Sequence, residues 1–138
     1  MTAEMQALIS YRVEQADEAL DSAQSLLERG NYRSVVNRAY YAMFYVVLAL
    51  LAPMKQQTSR HAWVMTLFDR DFVKMGVFGK DFSRWLHEAF NLRQRSDYQE
   101  LFTVPVEDAQ TVLEHAQQFV AGVKTHITSQ LSTSDAGD

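Results

Sequence analysis

Cysteine is absent from these 138 residues. That absence excludes a disulfide framework, a thiol nucleophile and a cysteine-ligated metal. Positive charge is also scarce: 13 Lys and Arg stand against 17 Asp and Glu, a net charge of −4. Broad binding to a phosphate backbone usually shows as a basic surface, so this balance argues against it and leaves room only for a local basic pocket. The four histidines, His61, His87, His115 and His126, are scattered without a metal-ligand spacing, so neither a metal nor a cofactor is expected. A long apolar run is missing too. The longest uncharged stretch, Ala39 to Met54 ("AYYAMFYVVLALLAPM"), has 16 residues, three of them tyrosines. It falls short of the roughly 20 needed to span a bilayer and reads as a helix buried in a bundle, with no membrane involved. The start "MTAEMQALIS" has no basic segment followed by an apolar block, so a secretory signal is not expected and the cytoplasm is the default location.

What is present is ordinary for a globular domain, with 47% hydrophobic and 22% charged residues. The length suits one domain with a substantial core. Almost nothing reads as a strand. A first helix is predicted over about residues 3–29, with the stripe Met5, Ile9, Val13, Ala16, Leu20, Ala23 and Leu27 stepping by fours and threes. Gly30 stands where the left-handed C-terminal conformation is needed. A second helix, about 32–52, opens with Arg33, Ser34, Asn37 and Arg38 and is apolar on every side from Ala39, as a central helix would be; Pro53 closes it. A third, about 59–72, has Thr58 or Ser59 as its cap, and a two-glycine turn follows it. Asp81 is the predicted cap of a fourth helix over about 82–99. Pro105 opens a fifth, striped by Val106, Ala109, Leu113, Ala116, Val120, Val123 and Ile127. The fold class is therefore all-α, an up-and-down bundle of four long helices and one short one. Residues 1–128 form its single domain, and 129–138 lack apolar periodicity and are expected to fray.

The fourth helix ends in "NLRQRSDYQE", Asn91 to Glu100, where charge enters the apolar stripe. Phe82, Leu86, Ala89 and Phe90 define the buried face; Arg93 falls within it and Asp97 lies near its edge, four residues on. A half-buried pair loses much of its attraction to desolvation, and two leucines would serve stability better. A ligand pocket is one explanation. Tyr98 lies about 140° round the helix from Arg93 and faces a second subunit or solvent, and Arg95 is expected to be solvated. Asn37, on the second helix, is a polar amide entering an apolar face and needs a partner. Antiparallel packing of the second and fourth helices would let Asn37 and Arg93 meet. The plainer readings stand beside these. Arg93 and Asp97 could simply pin the helix, His61 could be a cap or surface residue, and "AYYAMFYVV", Trp63 and Trp85 read as core.

The ordered set "GNYRSVVNRAYYAMFYVVLALL", "SRHAWVMTLFDRDFVKMGVFGKDF" and "LRQRSDYQE" resembles the HEPN domain (higher eukaryotes and prokaryotes nucleotide-binding), in particular its small stand-alone bacterial and archaeal members. The resemblance covers roughly residues 10–127 and implies a helical bundle, commonly a homodimer whose helix-four polar residues line a cleft between subunits. It also implies a partner, a minimal nucleotidyltransferase, in a toxin–antitoxin pair with the HEPN protein as candidate toxin. One feature departs from the family. Its ribonucleases carry Arg, four to six residues, then His; from Arg93 those positions are Tyr98, Gln99 and Glu100.

Three readings follow from the sequence. In the first, the chain binds a nucleotide or RNA through Asn37, Arg93, Asp97 and Tyr98. In the second it is a metal-independent ribonuclease toxin, with His61 as the base, Arg93 on the phosphate, Asp97 orienting one of them, and Tyr98 or Asn37 bonding substrate. The third is a non-catalytic helical interaction module whose buried charges set the register.

Overall fold

The computed structural model describes residues 1–54 and 60–137, with side chains described as far as Ser132. Its helices are α1 (Ala3–Glu28), α2 (Tyr32–Leu51), α3 (His61–Phe68), α4 (Lys80–Tyr98) and α5 (Val106–Gly137), and no strand occurs among the described residues. Four long helices and one short one make up the all-α bundle that the periodicity predicts. Thr58 and Ser59, the expected caps of α3, lie outside the described residues.

α1 begins where the Thr2 hydroxyl accepts the Met5 N–H at 3.0 Å, satisfying one of the free donors of a helix start. It ends at Gly30, whose φ of 75° costs a glycine nothing and turns the chain at once into α2. The buried face of α1 is Ile9, Ala16, Ala19 and Ala23, and small residues there bring α1 close against α2.

α2 is the central helix and touches α1, α3, α4 and α5. Twelve of its residues are buried, among them Val35, Tyr40, Met43, Phe44 and Val47. Each fully buried Val or Leu contributes about 1.5–3 kcal/mol of hydrophobic stabilisation, so this helix dominates the core. With its 3₁₀ extension through Met54 it is the one described helix long and apolar enough to cross a membrane, yet 67% of that apolar window is buried inside the bundle. Its apolar surface is thus already covered by neighbouring helices.

Three local expectations are corrected. The third helix is not continuous to residue 72: α3 stops at Phe68 and a π-helical turn, Asp69–Val73, follows. This wider turn keeps Phe68 and Phe72 in ring contact at 6.2 Å and lets both meet Phe78. Asp81 does not cap α4. Gly79 stands at the N-cap, and Asp81 sits inside the first turn, where it pairs with Arg84 at 2.9 Å. A carboxylate in the first turn still faces the positive end of the helix dipole. Trp63 is not core: it is 43% exposed, because α3 buries Val64, Met65, Leu67 and Phe68 instead.

α5 buries Ala109, Val112, Leu113, Ala116, Phe119, Val120, Val123 and Ile127. Its helical backbone continues through 129–137, a stretch that shows no periodicity in sequence, with Leu131 packed against the core. Gly122 lets α4 approach: a Cβ there would stand 2.7 Å from Phe82 Cζ. Lys124 reaches across to Asp17 on α1 at 3.0 Å.

Candidate functional site

Leu86 and Ala89 on α4 are buried, and Ser96 is buried as well, so the inward face runs 86, 89, 93, 96 at helical spacing. Arg93 occupies the third of these places. Its side chain is only 13% exposed, and its Nε–H donates to Asp97 Oδ2 at 3.1 Å; the carboxylate is 26% exposed, although Asp97 as a residue lies open at the helix end. The i, i+4 pairing is therefore as the sequence predicts. Ser96, which sequence reasoning missed, leaves its Oγ buried without a hydrogen-bond partner among the described residues.

α2 supplies the other wall. The Arg93 guanidinium carbon lies 5.4 Å from the Tyr40 ring centroid and 5.2 Å from that of Tyr41. A cation over an aromatic face is held by the ring quadrupole, and more strongly where water is excluded. Tyr40 is fully buried and its hydroxyl lies 2.7 Å from His61 Nδ1, at the first residue of α3. The His61 ring stacks on Phe44 at 4.2 Å. Tyr40 therefore joins His61 to Arg93: its hydroxyl holds the imidazole and its ring carries the guanidinium.

The electrostatics follow from this packing. Burial pushes the Tyr40 phenol well above its ordinary range, against the opposing pull of Arg93, so it stays protonated. Burial and then the Arg93 charge hold His61 below its usual value, so its imidazole is neutral at neutral pH. A neutral imidazole has one ring nitrogen free to accept a proton. When Nδ1 carries the hydrogen and donates to Tyr40, that nitrogen is Nε2. Asp97 engages only Nε of Arg93, so among the described residues the terminal nitrogens of the fork remain as donors for an anion.

Of the residues singled out in sequence, Arg93, Asp97 and His61 come together. Asn37 does not bond Arg93 as expected. Its Oδ1 instead accepts from Arg38 Nε at 3.1 Å and Nη2 at 3.0 Å, which satisfies the amide oxygen locally. Tyr98 projects outward and is 71% exposed. Arg95 is exposed and lies 4.5 Å over the Phe102 ring, while Arg33 donates to the Phe102 carbonyl at 2.6 Å. Phe102 thereby ties the loop after α4 to the start of α2.

Tyr40 and Tyr41 were legible only as core. The signal that could have flagged them is chemical: a tyrosine inside an apolar helix needs a partner for its hydroxyl. A second dyad, His87 Nε2 to Asp69 Oδ2 at 2.6 Å, also escaped the sequence, since the two lie 18 positions apart and Asp69 opens the π turn. A separate concavity of about 280 Å³ is lined by Ile9, Leu50, Phe72, Ile127 and Leu131 and by no Lys, Arg, Asp or Glu among the described residues. Arg93 and His61 do not line it.

Known proteins are similar to this chain in sequence. A UPF0332 protein of Thermotoga maritima is 35% identical over 121 residues, covering 88% of this chain and 92% of that protein. Two Methanocaldococcus jannaschii proteins, each named a candidate toxin, are 36% identical over 122 residues (88% of this chain, 87% of theirs) and 29% identical over 118 residues (86% and 80%). The family described as the HEPN domain matches residues 9–126, a span that includes every residue of the Arg93 cluster. The chain belongs to the HEPN domain family.

Proposed function

We propose that this chain is a toxin-like HEPN protein that holds a phosphate group of a nucleotide or RNA at Arg93, with Asp97 orienting the guanidinium. The observation that carries this reading is the Arg93 side chain, 13% exposed on a face otherwise given to Leu86 and Ala89, with its terminal nitrogens left over after Asp97 is served. Relatives named as candidate toxins support the toxin-like role. The family resemblance supports a homodimer with this cleft between subunits and a nucleotidyltransferase partner. Tyr98, exposed beside the cleft, would meet the second subunit or the ligand. Asn37 would act through Arg38 rather than through Arg93. Titration of the purified protein with single-stranded RNA and with nucleotides tests the reading. Binding that weakens at least about tenfold in Arg93→Ala is expected. No binding by the wild type, alone or with the partner, would overturn it.

A second reading, ribonuclease action without a metal, is favoured by one specific contact: the Tyr40 hydroxyl on His61 Nδ1, beside Arg93. In this reading His61 Nε2 takes the 2′-hydroxyl proton while Arg93 stabilises charge on the attacked phosphate. Incubation with total RNA in EDTA separates the two readings. Cleavage by wild type, abolished in both His61→Ala and Arg93→Ala, would make the site catalytic; intact RNA with all three proteins folded would leave it a binding site.

A further inference from the structure

We infer that Arg38 is a second phosphate anchor, and that the ligand of the Arg93 site therefore carries at least two phosphate groups. The inference rests on the proposed binding role of Arg93 and extends it. Arg38 is half-buried, and none of the ion pairs among the described residues involves it. Its guanidinium is nevertheless held in place: Nε and Nη2 donate to Asn37 Oδ1, and the group lies 5.2 Å over the Tyr41 ring. A guanidinium removed from bulk water without a carboxylate retains its charge uncompensated, and orientation by a neutral amide does not cancel it. Among the described residues, Nη1 is left with its donors unused.

Arg93 meets the same ring at 5.2 Å. The two guanidinium carbons are thus at most about 10 Å apart, the sum of two 5.2 Å distances to one centroid. Like charges this close repel, with less screening at a half-buried position than in water. Arg33 and Arg95, which share Phe102, add two more cations at this end of the bundle. Among the described residues, Asp97 is the one carboxylate bonded to any of the four. In a chain of net charge −4 this is a concentrated basic cluster, and its two oriented, partly buried members, Arg38 and Arg93, share one tyrosine ring. An anion with two separate phosphates would neutralise both at once; a single phosphate would satisfy one. Two sources carry that chemistry, a single-stranded RNA segment and a nucleoside polyphosphate.

The test uses the full chain and four proteins: wild type, Arg38→Ala, Arg38→Lys and Arg93→Ala. The probes are a short labelled single-stranded RNA, a nucleoside diphosphate and the matching monophosphate. Arg38→Ala is expected to weaken a two-phosphate probe roughly tenfold or more, and the monophosphate by less than about twofold. With RNA the slope of log affinity against log salt should also fall by about one. Arg38→Lys, which keeps the charge and loses the fork, should fall between; it also carries the comparison if the alanine variant melts early. Loss of RNA binding alone identifies a strand, and loss of diphosphate binding alone identifies a nucleotide. Wild-type-like affinity of Arg38→Ala for both two-phosphate probes, with Arg93→Ala weakened, overturns the inference and leaves Arg93 as the anchor. Equal weakening of all three probes by Arg38→Ala overturns it as well. Unchanged affinity in Arg93→Ala removes the proposed function itself.

Discussion

The Tyr40 hydroxyl and His61 Nδ1 stand 2.7 Å apart, joining the central helix to the first residue of α3. Tyr40→Phe keeps the ring under Arg93 and deletes only that bond. A net loss of about 1–2 kcal/mol in unfolding free energy is expected, the usual cost when one partner of a buried hydrogen bond disappears. Urea denaturation should show a lower midpoint with an unchanged slope.

His61 predicts a pH dependence. Its folded-state affinity for protons lies below the ordinary histidine value because of burial and Arg93. The unfolded chain therefore binds the proton more readily. The contribution of His61 to stability is fully present above the unfolded value, near pH 6.5, and is lost as pH falls through the folded one. His61→Gln should flatten this segment of the stability profile, and an NMR titration of the ring should give a midpoint below 6.5. A midpoint above it would contradict the packing described.

The Arg93–Asp97 pair can be tested by removing one partner and then both. Asp97→Ala leaves a guanidinium with 13% exposure short of its carboxylate and should cost about 1–3 kcal/mol. Replacing both residues by leucine should be close to neutral, because two desolvated charges are removed together. A double variant less stable than Asp97→Ala would contradict a functional origin for the pair.

Ser96 hides an unpartnered hydroxyl on the inward face of α4. Ser96→Ala removes that burden and raises helix propensity, so thermal stability should be unchanged or increase by up to about 1 kcal/mol. If this variant unfolds earlier, the hydroxyl has a partner in solution.

Gly122→Ala should destabilise although alanine is the better helix former. The new Cβ would meet Phe82 Cζ at 2.7 Å, and that ring is wedged among Phe78, Trp85 and Phe119 at 5.1–5.3 Å. Overpacking of this kind costs about 1–3 kcal/mol, more than the roughly 1 kcal/mol of propensity gained. Calorimetry on the wild type and Gly122→Ala checks the sign.

Helix positions, the inward stripes of α1 and α5, the central place of α2 and the Arg93–Asp97 pairing were all legible in the amino-acid order. Each depends on residues three or four apart on one helix, where backbone geometry alone brings side chains together. The same locality explains the misses. The cap of α4 moved to Gly79 and α3 gave way to a π turn, because Phe72 and Phe78 had to reach a core that no short window of sequence defines. Trp63 read as core by residue type, and only the faces already filled by Val64, Leu67 and Phe68 left it outside.

By itself, then, the sequence determined an all-α bundle and the intrusion of a cation into an apolar helical stripe, since periodicity and i, i+4 spacing are properties of a single helix. Tertiary structure alone decided that Tyr40 links His61, 21 positions on, to Arg93, and that Tyr41 gathers Arg38 and Arg93. Those contacts depend on how three helices cross, and crossing is set by the packing of whole side-chain surfaces rather than by any local spacing.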